Sequence, residues 1–198
     1  SRKESNVELL YLCDVMKSQR EKAAERFSKI IKNKPKQEND IRKVLEDSNV
    51  DAIFNATPDH WHTPGACMAM EAGKHVYVEK PSSHNVFEGR KMIEAARKYD
   101  RIVQVGFQNR SISNVMQAMA FLHGGGIGKV YMARGLCFKP RPSIGKFPDG
   151  PLGPGETYKL NVETTQEQPR WDAAYLDKVS YDLWLGPAPE RPFNRSRF

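Results

Sequence analysis

The chain has 198 residues, a formal net charge of +7 and a pI of about 9.3. It is long enough for one large or two small domains with a buried core. It contains no apolar run long enough for a membrane-spanning helix. Its basic residues between Lys17 and Lys43 are interleaved with Glu21, Glu25, Glu38 and Asp40, with Glu46 just beyond. That mixed-sign pattern is a solvated helical face; a nucleic-acid surface is single-signed and, for single strands, carries interleaved aromatics. Cys13, Cys67 and Cys137 are odd in number and far apart, so they read as small core hydrophobes rather than a disulfide framework. No secretory signal is visible at Ser1.

Taken in order, Val7 to Asp14 (VELLYLCD) is a nearly continuous apolar run ending in an acid, the pattern of a parallel strand buried on both faces. Lys17 to Ile31 follows as a helix, with Ala23, Ala24, Phe27, Ile30 and Ile31 on one face. Asn33 to Asn39 is a loop around Pro35 with room for a short strand. Asp40 caps a second helix that buries Ile41, Val44 and Leu45. Asp51 to Ala56 is a strand. Thr63 then reads as an N-cap with Pro64 at the first helical position, and Gly73 ends that helix. His75 to Glu79 is a strand, Asn85 to Tyr99 a helix with Val86, Gly89, Ile93 and Ala96 on one side, and Ile102 to Val105 a strand. This alternation predicts a doubly wound parallel α/β sheet.

Beyond Ser111 the pattern changes. Val115 to Leu122 reads as a helix stopped by Gly124-Gly125-Gly126, and Lys129 to Phe138 as a longer strand. Lys139 to Gly155 holds Pro140, Pro142, Pro148, Pro151 and Pro154 among its glycines and reads as a loop. Tyr181 to Pro187 (YDLWLGP) is a compact apolar knot. The expected division is a first domain over 1–111 and the beginning of a second over 112–198.

The chemically loaded stretch is Asp51 to Pro81, a strand–helix–strand unit. Its strand ends carry Thr57-Pro58-Asp59-His60-Trp61-His62 and Glu79-Lys80-Pro81. Ligands of open parallel sheets bind at the carboxyl ends of the strands. In a dinucleotide-binding sheet an acid ends the second strand, about 20 residues after a Gly-rich turn. Asp14 fits that acid, yet only thirteen residues precede it and none forms the turn. The expectation is therefore a piece lacking its first strand and phosphate cradle, with weak or no cofactor binding by itself. The start of a second domain before Phe198 likewise cannot close a core.

VELLYLCDV, ATPDHWH, GKHVYVEKP and VGFQNRS, in this order, resemble the Gfo/Idh/MocA family of sugar and polyol oxidoreductases. KVYMARG and YDLWLGPAPERPFN are similar to the opening of that family's second domain. The resemblance implies a Rossmann domain holding NAD or NADP, followed by an α/β substrate domain with an open sheet that often makes the oligomer contact. It places Asp14 on the adenosine ribose, where a carboxylate repels a 2′-phosphate and so favours NAD over NADP. It places Thr57, Pro58, His60 and His62 along the cofactor. Asp59 stands where the family has Asn and, when ionised, accepts hydrogen bonds but donates none. Glu79, Lys80 and Pro81 match the triplet beside the nicotinamide, with His60 or Trp61 packing nearby. Gln108 and Arg110 match a pair near cofactor and substrate. The family's usual second-domain histidine has no match before Phe198. Small sugar or polyol substrates, a homo-oligomer when full length, no nucleic acid and no membrane are implied. The compartment is the cytoplasm, or the periplasm if a twin-arginine signal precedes the chain.

Lys80 is the expected catalytic group: an ammonium beside a substrate hydroxyl stabilises the negative charge that develops as hydride leaves, and a desolvated lysine can also relay the proton. A cis Lys80–Pro81 bond would help to aim it. Lys80, Gln108 and Arg110 are the expected substrate contacts, Arg110 as a fork-shaped donor. His60, His62, Cys67, His75 and His84 lack the spacing of a metal site. Trp184 reads as an apolar anchor rather than a sugar platform. Two other readings stay open: a glycosidase of the same fold that oxidises its sugar transiently, and a cofactor-binding scaffold or sensor without turnover.

Overall fold

The computed structural model describes residues 6–136 and 180–190. Strand β1 (Tyr11–Cys13) is followed by α1 (Lys17–Ser28), β2 (Lys36–Glu38), α2 (Ile41–Leu45), β3 (Ala52–Asn55), α3 (Asp59–Glu71), β4 (His75–Val78), α4 (Val86–Lys98), β5 (Val103–Val105), a 3-10 turn (Gln108–Ser111), α5 (Ser113–His123) and α6 (Tyr181–Leu185). β1 pairs with β2, and β3–β4–β5 form a three-stranded sheet; every pairing is parallel. This is the expected doubly wound α/β alternation. The Asp40 cap accepts from Arg42 N, and Gly73 ends α3 at φ 78°, a conformation that costs glycine little.

The core lies between the β3–β4–β5 sheet and helices α3 and α4: Leu45, Ala66, Ala69, Met70, Val76, Val78 and Met92 are buried together. In a strand alternate residues face opposite sides. Ile53, Val76, Val78, Val103 and Val105 therefore pack against this cluster, while Phe54, Tyr77 and Gln104, opposite one another in register, share the other face. Phe54 is 67 % exposed and stacks on Tyr77 with ring centroids 4.6 Å apart. Among the described residues, then, one face of this sheet is covered and the other carries a stacked aromatic pair, exposed Phe54 on half-buried Tyr77.

Several element-level expectations are corrected. β1 is half-buried to exposed rather than buried on both faces, because its one described sheet partner is the short β2. Cys13, expected inside, is exposed. α1 buries no residue, and Ile30, beyond its end, is 71 % exposed. In α4 the inward face is Met92, Ala95, Ala96 and Tyr99, a stripe at the helical period. Val86 lies outside that stripe, and Val86 and Ile93 are exposed. The described part of Lys129 to Phe138 forms no strand, since Val130, Tyr131, Met132 and Leu136 are exposed and have no partner strand among the described residues. Lys139 to Gly155 and Cys137 lie outside the described residues. Among those residues no helix is long and apolar enough to cross a membrane.

Candidate active site

Asn55, Val78 and Val105 form the last row of the three-stranded ladder, so the residues that follow them emerge at one edge. Glu79 N donates to Asn55 O at 2.9 Å, and Gly106 N donates to Val78 O at 2.8 Å. The Glu79 carboxylate then organises that edge: Oε1 accepts from Gln108 Nε2 at 2.6 Å and Oε2 from Lys80 N at 3.1 Å. Gly106 permits this approach. A Cβ there would stand 2.9 Å from Tyr77 Oη and 3.1 Å from Glu79 Oε2. Lys80 is exposed beside the pair, and the Lys80–Pro81 peptide is cis. Its exposure leaves the ammonium solvated among the described residues, so the desolvation that a proton relay needs is not supplied by them.

The turn after β3 hangs on Asn55, a residue the sequence did not single out. Asn55 is 2 % exposed. Its Oδ1 accepts from Thr57 Oγ1 at 2.7 Å and from Thr57 N at 3.3 Å, and its Nδ2 donates to His62 O at 3.0 Å. Gly65 is the counterpart, since a Cβ there would lie 3.0 Å from Asn55 Nδ2. The only sequence signal was a polar residue ending an otherwise apolar strand.

α3 begins at Asp59, with Pro58 as its N-cap residue and Pro64 inside it, not at Thr63 as expected. Thr-Pro is a favoured helix start, but a proline also tolerates an interior position when the carbonyl it leaves unpaired, here of His60, lies near the end and neighbouring groups hold the turn. Asn55 supplies that support. The predicted polar loop is thus the first turn of the helix. Thr63, freed from capping, is buried and its hydroxyl donates to Ser82 O at 3.2 Å. His62 is 2 % exposed, and its Nδ1 makes a short contact with Pro81 O. Both side chains therefore clamp the Lys80–Pro81–Ser82 turn from beneath.

His60 and Trp61 engage α6. His60 Nε2 lies 2.7 Å from Trp184 O, and Trp61 Nε1 donates to Leu183 O at 2.9 Å and to Trp184 O at 3.1 Å. At its other end α6 meets β1 and β2: Ser180 N donates to Val15 O at 3.1 Å, and Asn39 Nδ2 to Ser180 Oγ at 3.0 Å. Four residues of helix rise only about 6 Å. The carboxyl ends of β1 and β3 therefore open on the same edge, which brings Asp14 to the side that bears Thr57, Glu79 and Gln108.

Asp14 is half-buried. Its Oδ1 accepts from Met16 N at 2.8 Å. Burial pushes its carboxyl above the ordinary value, against the opposing pull of the Met16 hydrogen bond and the Arg20 charge. Arg20 Nη1 also makes a short contact with the Asp14 carbonyl. Arg110 is exposed, with its guanidinium 5.7 Å from the Phe107 ring centre. The described residues contain no group of three His, Cys, Asp or Glu side chains placed to hold a metal.

A parallel α/β sheet whose polar groups gather at the carboxyl ends of its strands is the arrangement of the doubly wound, nucleotide-binding class of folds. Residues 1–107 match the family described as oxidoreductase family, NAD-binding Rossmann fold, and the chain belongs to this Gfo/Idh/MocA family. It is 33 % identical over 103 residues to myo-inositol 2-dehydrogenase of Thermotoga maritima, covering 52 % of this chain and 31 % of that one. It is 36 % identical over 99 residues to a glycosyl hydrolase family 109 protein of Saccharopolyspora erythraea, covering 50 % and 21 %. The crystal structure of myo-inositol 2-dehydrogenase from Lactobacillus plantarum superposes with a TM-score of 0.57 at 26 % identity, covering 65 % of this chain and 37 % of that one. The chain thus spans between a fifth and two fifths of the length of these relatives.

Proposed function

We propose that the whole protein is an NAD-dependent oxidoreductase that acts on a hydroxyl-bearing carbon of a sugar, polyol or related compound. The observation that carries this reading is the strand-end cluster in a chain of this family: Glu79 bonded to Gln108 at 2.6 Å, with exposed Lys80 beside it. When bound, NAD supplies the hydride acceptor. Asp14 takes the adenosine ribose, and its negative charge disfavours a 2′-phosphate, which selects NAD over NADP. The Thr57–His62 turn borders the cofactor crevice. Gln108, anchored by Glu79, orients a substrate hydroxyl, and the Lys80 ammonium stabilises the oxyanion as the carbonyl forms. Arg110 adds a planar donor for a hydroxyl-rich or acidic substrate.

The test is turnover of a panel of sugars and polyols by the whole protein, followed by NADH absorbance. Lys80→Met is expected to lower kcat by about 10²–10⁴-fold, the range for a positioned acid–base or electrostatic group, with NAD affinity little changed. Wild-type kcat retained in Lys80→Met would remove Lys80 from the chemistry. The family 109 relative favours a second reading, transient oxidation of a glycoside with the hydride returned. Cleavage of a nitrophenyl glycoside without net NADH build-up would replace the dehydrogenase reading with this one.

A further inference from the structure

α6 has five residues, too short to be stable alone. Two carbonyls of its last turn, Leu183 O and Trp184 O, are met from α3 by Trp61 and His60. The fit continues past the helix end. Gly186 has φ 54°, and a Cβ there would lie 2.3 Å from Cε2 and Cζ2 of Trp61. The indole lies flat against a position that only glycine fills without displacement. The His60 ring packs edge-on to Trp184 at 5.4 Å. The other end of α6 is tied to Val15 and Asn39, next to Asp14. These contacts join parts of the chain from 122 residues (Trp61 to Leu183) to 165 residues (Val15 to Ser180) apart.

We infer that Trp61 is a positioning residue for cofactor binding: it pegs α6 across the carboxyl edge, so that α6 fixes the spacing between Asp14 and the Thr57–His62 turn. The inference rests on the oxidoreductase reading above and goes beyond it by assigning Trp61 and Gly186 to one clasp. Trp61 acts through the strap, not by touching the reacting atoms. Loosening the clasp therefore weakens NAD binding and raises its KM rather than lowering kcat.

The experiment uses the whole protein, wild type and the variants Trp61→Phe and Gly186→Ala. Hydrogen–deuterium exchange is read at 180–186 and NAD Kd by calorimetry. Trp61→Phe keeps a ring but removes the donor. Gly186→Ala changes no residue of α3 or the core and displaces the clasp from the α6 side, where a Cβ meets the Trp61 ring. Both are expected to speed exchange at 180–186 and to raise the NAD Kd about tenfold, in line with the loss of one or two hydrogen bonds. Unchanged exchange in both variants would show that Trp61 does not hold α6. Faster exchange with an unchanged NAD Kd would reduce the clasp to a structural tie and overturn the inference. Wild-type protein that binds no NAD would sink the oxidoreductase reading and the cofactor half of this inference together, while the exchange arm would still decide whether the clasp exists.

Discussion

Asn55→Ala is the sharpest test of how the site is held. The substitution deletes the donor to His62 O and the acceptor of Thr57 Oγ1 and Thr57 N. The two ends differ in consequence. Thr57 is exposed, so its hydroxyl regains water and little is lost. His62 is buried, but its carbonyl lies within α3 and keeps its helical donor, so what is lost there is one buried hydrogen bond, about 0.5–1.5 kcal/mol. With the lost Thr57 bonds and the void left by the side chain, the expected loss is about 1.5–3 kcal/mol. For a chain of this size that corresponds to a fall in Tm of about 3–12 °C. Urea unfolding followed by far-ultraviolet circular dichroism measures it directly. Asn55→Asp is the matched control. It keeps the acceptor for Thr57 but loses the donor and sets a carboxylate against the His62 carbonyl, so its loss should equal or exceed that of Asn55→Ala. If Asn55→Ala stays within about 1 kcal/mol of wild type, or Asn55→Asp is the more stable of the two, Asn55 is not the hub described above.

Two titrations follow from strand-end and loop carboxylates. Asp14 has its folded pKa raised above the ordinary 3.8, chiefly by burial, so folding disfavours its ionised form. Stability should decline as pH rises from the ordinary value through the raised one. Asp14→Asn should lack that decline in urea midpoints measured against pH, while NAD binding by the whole protein weakens. A variant with the wild-type pH profile would contradict the burial argument. Asp47 behaves oppositely. Its carboxyl is held well below the ordinary range, first by Asn49 N, then by Tyr11 Oη and the Asn49 side chain, with Lys36 a smaller contribution. Its contribution is present above the ordinary aspartate value and is lost as pH falls below it. Asp47→Asn should flatten the acid side of the stability profile, and an unaltered acid limb would refute the assignment.

The sequence alone determined the alternation of strands and helices, the parallel sheet and the edge that carries the chemistry. Each of these rests on local physics. Apolar period marks the element, while Asp40, Gly73 and Asn85 mark helix ends through hydrogen bonds and backbone freedom within a few residues. Asp14, Thr57, Glu79 and Lys80 could be expected at one edge because strand ends in a parallel sheet share it, whereas Gln108 was named only through the family resemblance. Where α3 begins was not legible. Thr63-Pro64 carries the local signal for a start, and the tertiary contacts of Asn55, Thr63 and His62 outweigh it. Nor could spacing along the chain reveal that Gly106 makes room for Glu79, or that Trp61 and His60 reach carbonyls of a helix more than 120 residues away. Those facts belong to close approach between distant segments. A residue's own neighbours in sequence do not encode which surface will press against it, and only the folded chain decides it.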